Sequence, residues 1–159
     1  MAICILKSNK QLGVNFILTP ERYNPRRRMS IDNEDTILMS EIVEIVNDII
    51  TKKQAQGKSI IQINTSDAMG GYLNINSEVN DSINSNKKIL RKGDVIISRL
   101  RPYLRQVAYV DEDRKEILGA STEFFVIRAR NNESIAYLVP FLLSQPAQLV
   151  IENSVEGSQ

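Results

Sequence analysis

Histidine and tryptophan are absent from this 159-residue sequence, and cysteine occurs once, as Cys4. Imidazole is the commonest general base near neutral pH and the commonest metal ligand, so catalytic triads and zinc sites are disfavoured. A single cysteine cannot form an internal disulfide, and among isoleucines Cys4 is expected to be a small core residue. The composition therefore nearly excludes triad and zinc chemistry.

Long hydrophobic runs are also lacking. The longest, residues 135–143, contains Pro140 and is far shorter than the ~18 residues that a membrane span requires. The first ten residues hold a short apolar run before Lys7, without a long hydrophobic region or a small-residue cleavage site. The expectation is a protein with no membrane partner and a cytoplasmic location.

The charged residues are segregated along the chain. Residues 87–110 contain seven basic residues and one acid, a local charge of +6, while the whole chain carries only +1. Residues 31–49 contain six acids and no base. A concentration of positive charge interleaved with tyrosines is typical of a nucleic-acid-binding surface.

Length and hydrophobic periodicity predict one domain that contains short strands and short helices. The predicted elements are a short helix at Ser40 followed by extended chain to Ile50, a strand at 60–64, a hairpin of 94–98 and 106–110, a strand at 123–127, and two helices after Ser134. Ser134 is the expected N-cap of the first of these helices, and Pro146 fits the first turn of the second. The hairpin would carry its basic residues at the tip.

Arg99, Arg101 and Arg105 lie on this tip beside Tyr103. Their guanidinium groups have the geometry to bind phosphates or the O6/N7 edge of guanine. Pro102 stiffens the connection, which lowers the entropy lost when a ligand orders the arginines. A solvated basic hairpin without a ligand is the alternative interpretation.

Two further groups of residues are candidate DNA contacts. One group has short hydrogen-bonding side chains, those of Thr65, Ser66 and Asp67. Gly70 and Gly71 follow, and glycines permit a close approach of the backbone to a ligand. An ordinary turn has the same pattern. The basic residues that would bind phosphates are Lys87, Lys88, Arg26 and Arg27; the two arginines could equally border the start of the domain.

Several segments together carry a resemblance to a known family. They are LMSEIVEIV, SIIQINTSDAMGGYL, LRKGDVIISRLRPYLRQVAYV, ILGASTEFFVIRA, AYLVPFLLS and EGSQ, in that order. Over roughly residues 36–159 the chain resembles the target recognition domain of a type I restriction-modification specificity subunit. Its most specific part is the Lys-Gly-Asp-Val-Ile start of a strand, followed by an arginine-bearing loop and an apolar return strand. ERYNPRRR at residues 21–28 is similar to the lead-in of such domains.

The resemblance implies an α+β domain, strand-rich and partly barrel-like, at residues 36–159, with residues 1–35 as a lead-in packed on it. In the family, two such domains and two long helices form one subunit, which positions separate methyltransferase and restriction subunits on double-stranded DNA. This sequence stops before the long spacer helix, so we expect a truncated or half-length subunit, and a half-length subunit would act as a homodimer. The loops implied to face DNA are residues 65–71, 98–105 and 119–123, which adds Ser98, Ser121 and Thr122 to the candidate contacts.

Sequence-specific binding of duplex DNA is therefore the predicted function, and the resemblance implies a non-catalytic module with no catalytic residue, metal or cofactor. With about five phosphates neutralised, log K should fall with log salt at a slope near −4.5. A protein-interaction module whose basic hairpin docks an acidic partner is one alternative. A nuclease built on Asp113 and Lys115 is another, although this Asp-x-Lys pair lies in a hydrophilic stretch typical of a surface turn.

Overall fold

The computed structural model describes residues 36–75 and 78–154. Its helices are α1 Met39–Ile42, α2 Lys52–Ala55, α3 Leu138–Leu143 and α4 Gln145–Ser154. Its strands are β1 Val43–Val46, β2 Ile49–Ile50, β3 Ile60–Ile63, β4 Ala68–Met69, β5 Tyr72–Leu73, β6 Val79–Asn80, β7 Lys87–Leu90, β8 Val95–Ser98, β9 Val107–Tyr109, β10 Ile117–Ala120 and β11 Phe124–Ala129. Two single 3-10 turns cover Thr65–Asp67 and Pro102–Leu104. The strand-rich α+β class with short helices is confirmed.

The strands form two larger sheets and one short hairpin. The first sheet has the order β1-β11-β8-β9 and is antiparallel throughout. The second has the order β2-β7-β10-β3-β6, in which β10 and β3 run parallel. The β4–β5 hairpin lies against β9, where the Gly71 N–H donates to the Val107 carbonyl at 3.0 Å. Within the described residues the two sheets are stacked and do not close into a barrel.

The core lies between the two larger sheets, and strand alternation explains its composition. On β8, Ile96 points into the cluster shared with the second sheet, whereas Val95 points to the opposite face and packs against α3. On β3, Ile61 faces the same central cluster and Ile60 faces an outer apolar layer. Because successive side chains point to opposite faces, runs of β-branched residues supply both layers at once.

The Arg91–Asp94 turn explains the Lys-Gly-Asp-Val-Ile pattern structurally. Asp94 is 1% exposed, and its Oδ2 accepts the Arg91 N–H at 2.8 Å, while Gly93 takes a φ of +94°. The Arg128 guanidinium donates to both carboxylate oxygens of Asp94 at 2.8 Å, and also to Asp48 at 3.0 Å. The hydrogen bond to Asp94 is the largest cause that raises the pKa of Arg128. This buried pair fixes the start of β8 to β11.

Short local signals account for the helices, with one difference from the expectation. Thr51 and Gln54 form a capping box at the start of α2, and Pro146 lies in the first turn of α4 as predicted. Ser134 is not the N-cap of α3, because this helix begins four residues later, after Tyr137, without a side-chain cap. No helix in the described part of the chain is long and apolar enough to cross a membrane.

The strand predictions are confirmed for the hairpin, for β3 and for β11, and other strands were not predicted. β8 and β9 form the predicted antiparallel pair, and α1 is followed by extended chain. β7 and β10 lie where no strand was predicted, and the β4–β5 hairpin lies where a simple loop was predicted. The proposed lead-in, residues 1–35, lies outside the described residues.

Candidate nucleic-acid interface

Three loops that contain predicted contacts lie at the same end of the two stacked sheets, because of the directions in which their strands run. Because β3 and β10 are parallel, Ile63 and Ala120 finish side by side, and the Ser121 N–H donates to the Ile63 carbonyl at 2.9 Å. Residues 121–123 then cross from β10 to β11, whose first residue, Phe124, pairs with Ser98 at the end of β8. We call this the loop end; it carries residues 64–67, residues 121–123 and the β8–β9 connection.

The β8–β9 connection, residues 99–106, is the basic tip. Its centre is the 3-10 turn Pro102–Leu104, and the residues on either side, Arg101 and Arg105, adopt left-handed conformations with φ of 48° and 50°. Such conformations are uncommon for residues other than glycine and often occur at functional sites. The Leu104 N–H donates to the Arg101 carbonyl at 2.9 Å, which closes the turn.

The three arginines of the tip, Arg99, Arg101 and Arg105, are exposed and form no salt bridge with a described residue. The Arg99 guanidinium lies over the Phe125 ring, 5.4 Å from the centroid, and its backbone N–H donates to the Glu123 carbonyl at 2.8 Å. The latter bond joins the tip to residues 121–123, so predicted contacts from two loops are adjacent.

Ser98 has a different position from the one expected of a contact residue. It is 6% exposed, and its hydroxyl donates to the Leu100 carbonyl at 3.0 Å and accepts the Leu100 N–H at 3.2 Å. Both bonds hold the first turn of the tip. Ser98 therefore shapes this loop, since its hydroxyl is already engaged.

Lys87 and Lys88 also differ from the expectation of exposed phosphate contacts. They lie in β7 at 6% and 7% exposure, because β7 is an inner strand of the second sheet. The Lys88 ammonium donates to the Phe124 carbonyl at 2.8 Å and so connects the two sheets. Burial lowers the pKa of Lys87, and burial followed by repulsion from Arg99 lowers that of Lys88. We leave both lysines out of the candidate surface.

Residues 64–67 continue directly from β3 at the loop end. Ser66 is exposed, whereas Thr65 is half-buried. The Asp67 carboxylate accepts the Asn64 N–H at 2.7 Å, which closes the turn. Asp67 thus has a structural bond as well as a free carboxylate oxygen, and Ser66 is the residue of this group that is best exposed to a ligand.

Gly70 and Gly71 form the two-residue turn of the β4–β5 hairpin. Their φ values of +60° and +93° match a type I′ turn, which side chains other than Gly, Asn and Asp rarely tolerate. A Cβ on Gly71 would lie 2.9 Å from Val139 Cγ1 of α3, so close packing also requires glycine there. Because Gly71 bonds to Val107, the hairpin turn lies beside the end of the basic tip.

Ser121 and Thr122 lie in the three-residue link between β10 and β11. The Ser121 hydroxyl accepts the Glu123 N–H at 3.3 Å and is half-buried. Thr122 is exposed, and its hydroxyl is available to a ligand at the loop end. Arg26 and Arg27 lie outside the described residues.

Exposed apolar side chains surround the tip, and the sequence reading gave them little weight. Tyr72 is 83% exposed and Tyr103 is 65% exposed. The other exposed large apolar residues of the tip and of the adjacent hairpin are Met69, Leu100 and Leu104. The alternation of apolar and basic residues in RLRPYLR was the sequence signal for these exposed apolar residues, because apolar side chains on a polar loop are rarely buried in a core.

The Asp113–Lys115 pair lies at the opposite end, in the connection from β9 to β10, and both side chains are exposed. Among the described residues no group of three acidic, cysteine or histidine side chains is arranged to hold a metal ion. Asp113 therefore has no described partner ligands for metal-dependent hydrolysis.

No protein-family model matches the chain, and a search of curated proteins found no significant match.

Proposed function

We propose that this chain binds double-stranded DNA sequence-specifically, as the target recognition module of a type I restriction-modification specificity subunit. In this role it performs no chemistry. It positions separate methyltransferase and restriction subunits on their DNA site.

The single observation that supports this function best is the adjacency of Arg99, Arg101 and Arg105 with hydrogen-bonding side chains at the loop end. Exposed guanidiniums that form no salt bridge with a described carboxylate are available to phosphates. Ser66 and Thr122 extend from neighbouring loops with free hydroxyl groups that suit either phosphates or base edges. The sheets beneath these loops hold them on a rigid support, as direct readout requires.

The burial of two lysines changes the expected salt dependence. The three arginines of the tip would contribute a slope of about −2.7 in log K against log salt, at about −0.9 for each phosphate. Arg26 and Arg27, if they also bind phosphates, would bring the slope to about −4.5. Lys87 and Lys88 contribute nothing to either value.

Selection from a random duplex library tests the proposal. The full chain is incubated with duplexes of random sequence, bound DNA is recovered and amplified over several rounds, and the enriched pool is sequenced. A single domain of this size should enrich a consensus of about 3–5 base pairs, with each mismatch costing about 1–3 kcal/mol. Retention of DNA without any enriched sequence would contradict specific recognition, and no retention at low salt would contradict DNA binding altogether.

The subunit partners and a homodimeric arrangement belong to the same proposal. Co-expression with a type I methyltransferase subunit, followed by size-exclusion chromatography, tests docking. Light scattering on the chain alone tests the dimer. A monomer that fails to co-elute with the methyltransferase subunit would restrict the proposal to DNA binding.

A second candidate is docking of an acidic protein through the same surface. The exposure of Leu100 and Leu104 beside the arginines favours it, since apolar and arginine side chains are common in protein interfaces. Capture experiments after nuclease treatment separate the two functions. A partner that remains bound after digestion supports protein docking, whereas loss of all bound material supports DNA.

A further inference from the structure

Two tyrosines, one in the basic tip and one in the adjacent β4–β5 hairpin, project into solvent. Tyr103 is the middle residue of the Pro102–Leu104 turn, between the two left-handed arginines. Tyr72 follows the glycine turn of the β4–β5 hairpin. Neither hydroxyl forms a hydrogen bond with a described residue, and both rings are mostly exposed.

Strand pairing in the β4–β5 hairpin explains why the Tyr72 ring points outward. Ala68 and Leu73 are cross-strand partners and face the central core, with Ala68 fully buried. Met69 and Tyr72 are the next pair, so they share the opposite, outer face, where both are exposed. The two side chains form an apolar pair at the turn, because residues directly opposite on antiparallel strands have close Cβ atoms.

The backbone holds this pair next to the basic tip. Gly71 donates to the Val107 carbonyl at 3.0 Å, and the Val107 N–H donates to the Arg105 carbonyl at 2.9 Å. Two consecutive hydrogen bonds therefore connect the hairpin turn with the tip. A hydrogen-bonded glycine turn and a proline-containing 3-10 turn hold the backbone beneath both rings, which limits the backbone entropy lost on binding.

We propose that Tyr72 and Tyr103 insert at a base step, stacking on the bases that they separate, so that the domain prefers DNA containing an easily unstacked step. This inference rests on the proposed function and names the kind of DNA that the surface favours. Apolar side chains that enter a duplex partially unstack it, and the energy needed depends on the step that is deformed. Arginines on either side would hold the flanking phosphates while the rings enter.

The preference should be measurable with a mismatch, because a mismatched pair is already easier to unstack. The mean stacking free energy of one duplex step corresponds to about a 10-fold change in affinity. We therefore expect the wild-type chain to bind a duplex with a central mismatch about 10-fold more tightly than the matched duplex of otherwise identical sequence.

The experiment uses fluorescence anisotropy with two labelled 20-base-pair duplexes, one matched and one with a central T·T mismatch, at fixed salt. A second pair carries 2-aminopurine beside the central position, whose emission rises when it is unstacked. The variants are Tyr72→Ala, Tyr103→Ala and their combination, with Tyr72→Phe and Tyr103→Phe as controls that keep the rings. Tyr137→Ala, at an exposed tyrosine before α3 and outside the three loops, is the matched control.

The expected result is loss of the mismatch preference and of the 2-aminopurine signal in the alanine variants, with the preference retained in the phenylalanine variants and in Tyr137→Ala. The salt slope should not change, because no cation is removed. Equal wild-type affinity for both duplexes, or an unchanged preference in the doubly substituted variant, would overturn the inference while leaving DNA binding intact. Tighter binding of the single strand than of either duplex would also overturn it. Absence of salt-dependent binding to any of these DNAs would contradict the proposed function itself.

Discussion

Replacement of Asp94 by alanine should destabilise the fold severely. Asp94 accepts three hydrogen bonds at 2.8 Å, one from the Arg91 N–H and two from the Arg128 guanidinium, at 1% exposure. Removal of one partner of a buried ion pair costs about 3–5 kcal/mol, and the bond that Arg128 keeps to Asp48 places the expected loss at the lower end of this range. Total stabilities of about 5–15 kcal/mol make this a large fraction. Arg128 keeps only its bond to Asp48, whose side chain is far more exposed.

The assay is equilibrium unfolding in urea, followed by circular dichroism. A double-mutant cycle with Arg128→Met separates the contribution of the ion pair from that of the turn, because methionine removes the guanidinium charge that Asp94→Ala leaves without its main partner. The doubly substituted chain should therefore be more stable than Asp94→Ala alone, by about 1–3 kcal/mol. Lys92→Ala, an exposed position in the same turn, should change stability by less than about 0.5 kcal/mol. Additive effects of the two substitutions, or a loss below about 1 kcal/mol for Asp94→Ala, would refute the role given to this pair.

Two further predictions concern packing and burial. Gly71→Ala should lower the free energy of unfolding by about 2–4 kcal/mol, because φ is +93° and the new methyl would lie 2.9 Å from Val139 Cγ1. Gly57→Ala is the control: its φ is +73° but the space around it is open, so the loss should be only about 1–2 kcal/mol. Equal losses in urea unfolding would contradict the steric reason. Lys87→Met should stabilise the fold by less than about 1 kcal/mol near neutral pH, because it removes a partly desolvated ammonium whose charge solvent still screens. Burial lowers the pKa of Lys87 in the folded chain below its ordinary 10.5. Between the lowered pKa and pH 10.5 the unfolded chain therefore binds more protons than the folded chain, so the stability of the wild type should rise with pH in this range. Unfolding curves of Lys87→Met should show a shallower rise, and an identical pH dependence would exclude this cause.

The sequence was sufficient for features that local patterns determine. The β8–β9 hairpin follows from two β-branched runs around a proline-containing basic connection, and the short helix before β1 follows from spacing of apolar residues. β7 was missed because Lys87 and Lys88 begin it, and adjacent lysines resemble solvated chain. Their burial depends on β7 lying between β2 and β10, which is a tertiary arrangement that no local pattern contains.

The candidate site was only partly predictable for the same reason. Arg99, Arg101 and Arg105 could be assigned to one tip, since they are close in sequence. Their proximity to Ser66 and Thr122 depends on the parallel pairing of β3 with β10, strands separated by more than fifty residues. Non-local pairing of this kind leaves no periodic signal in either segment, so the residues of different loops could be proposed individually but not as one surface.

The salt dependence of duplex binding tests the central claim most directly. The chain with Arg99→Gln, Arg101→Gln and Arg105→Gln is compared with wild type and with a control that loses three cations at the opposite end, Lys92→Gln, Arg114→Gln and Lys115→Gln. If the tip binds phosphates, the slope of log K against log salt should become less negative by about 2.7 in the tip variant and should not change in the control. Equal slopes for the tip variant and wild type would contradict the account.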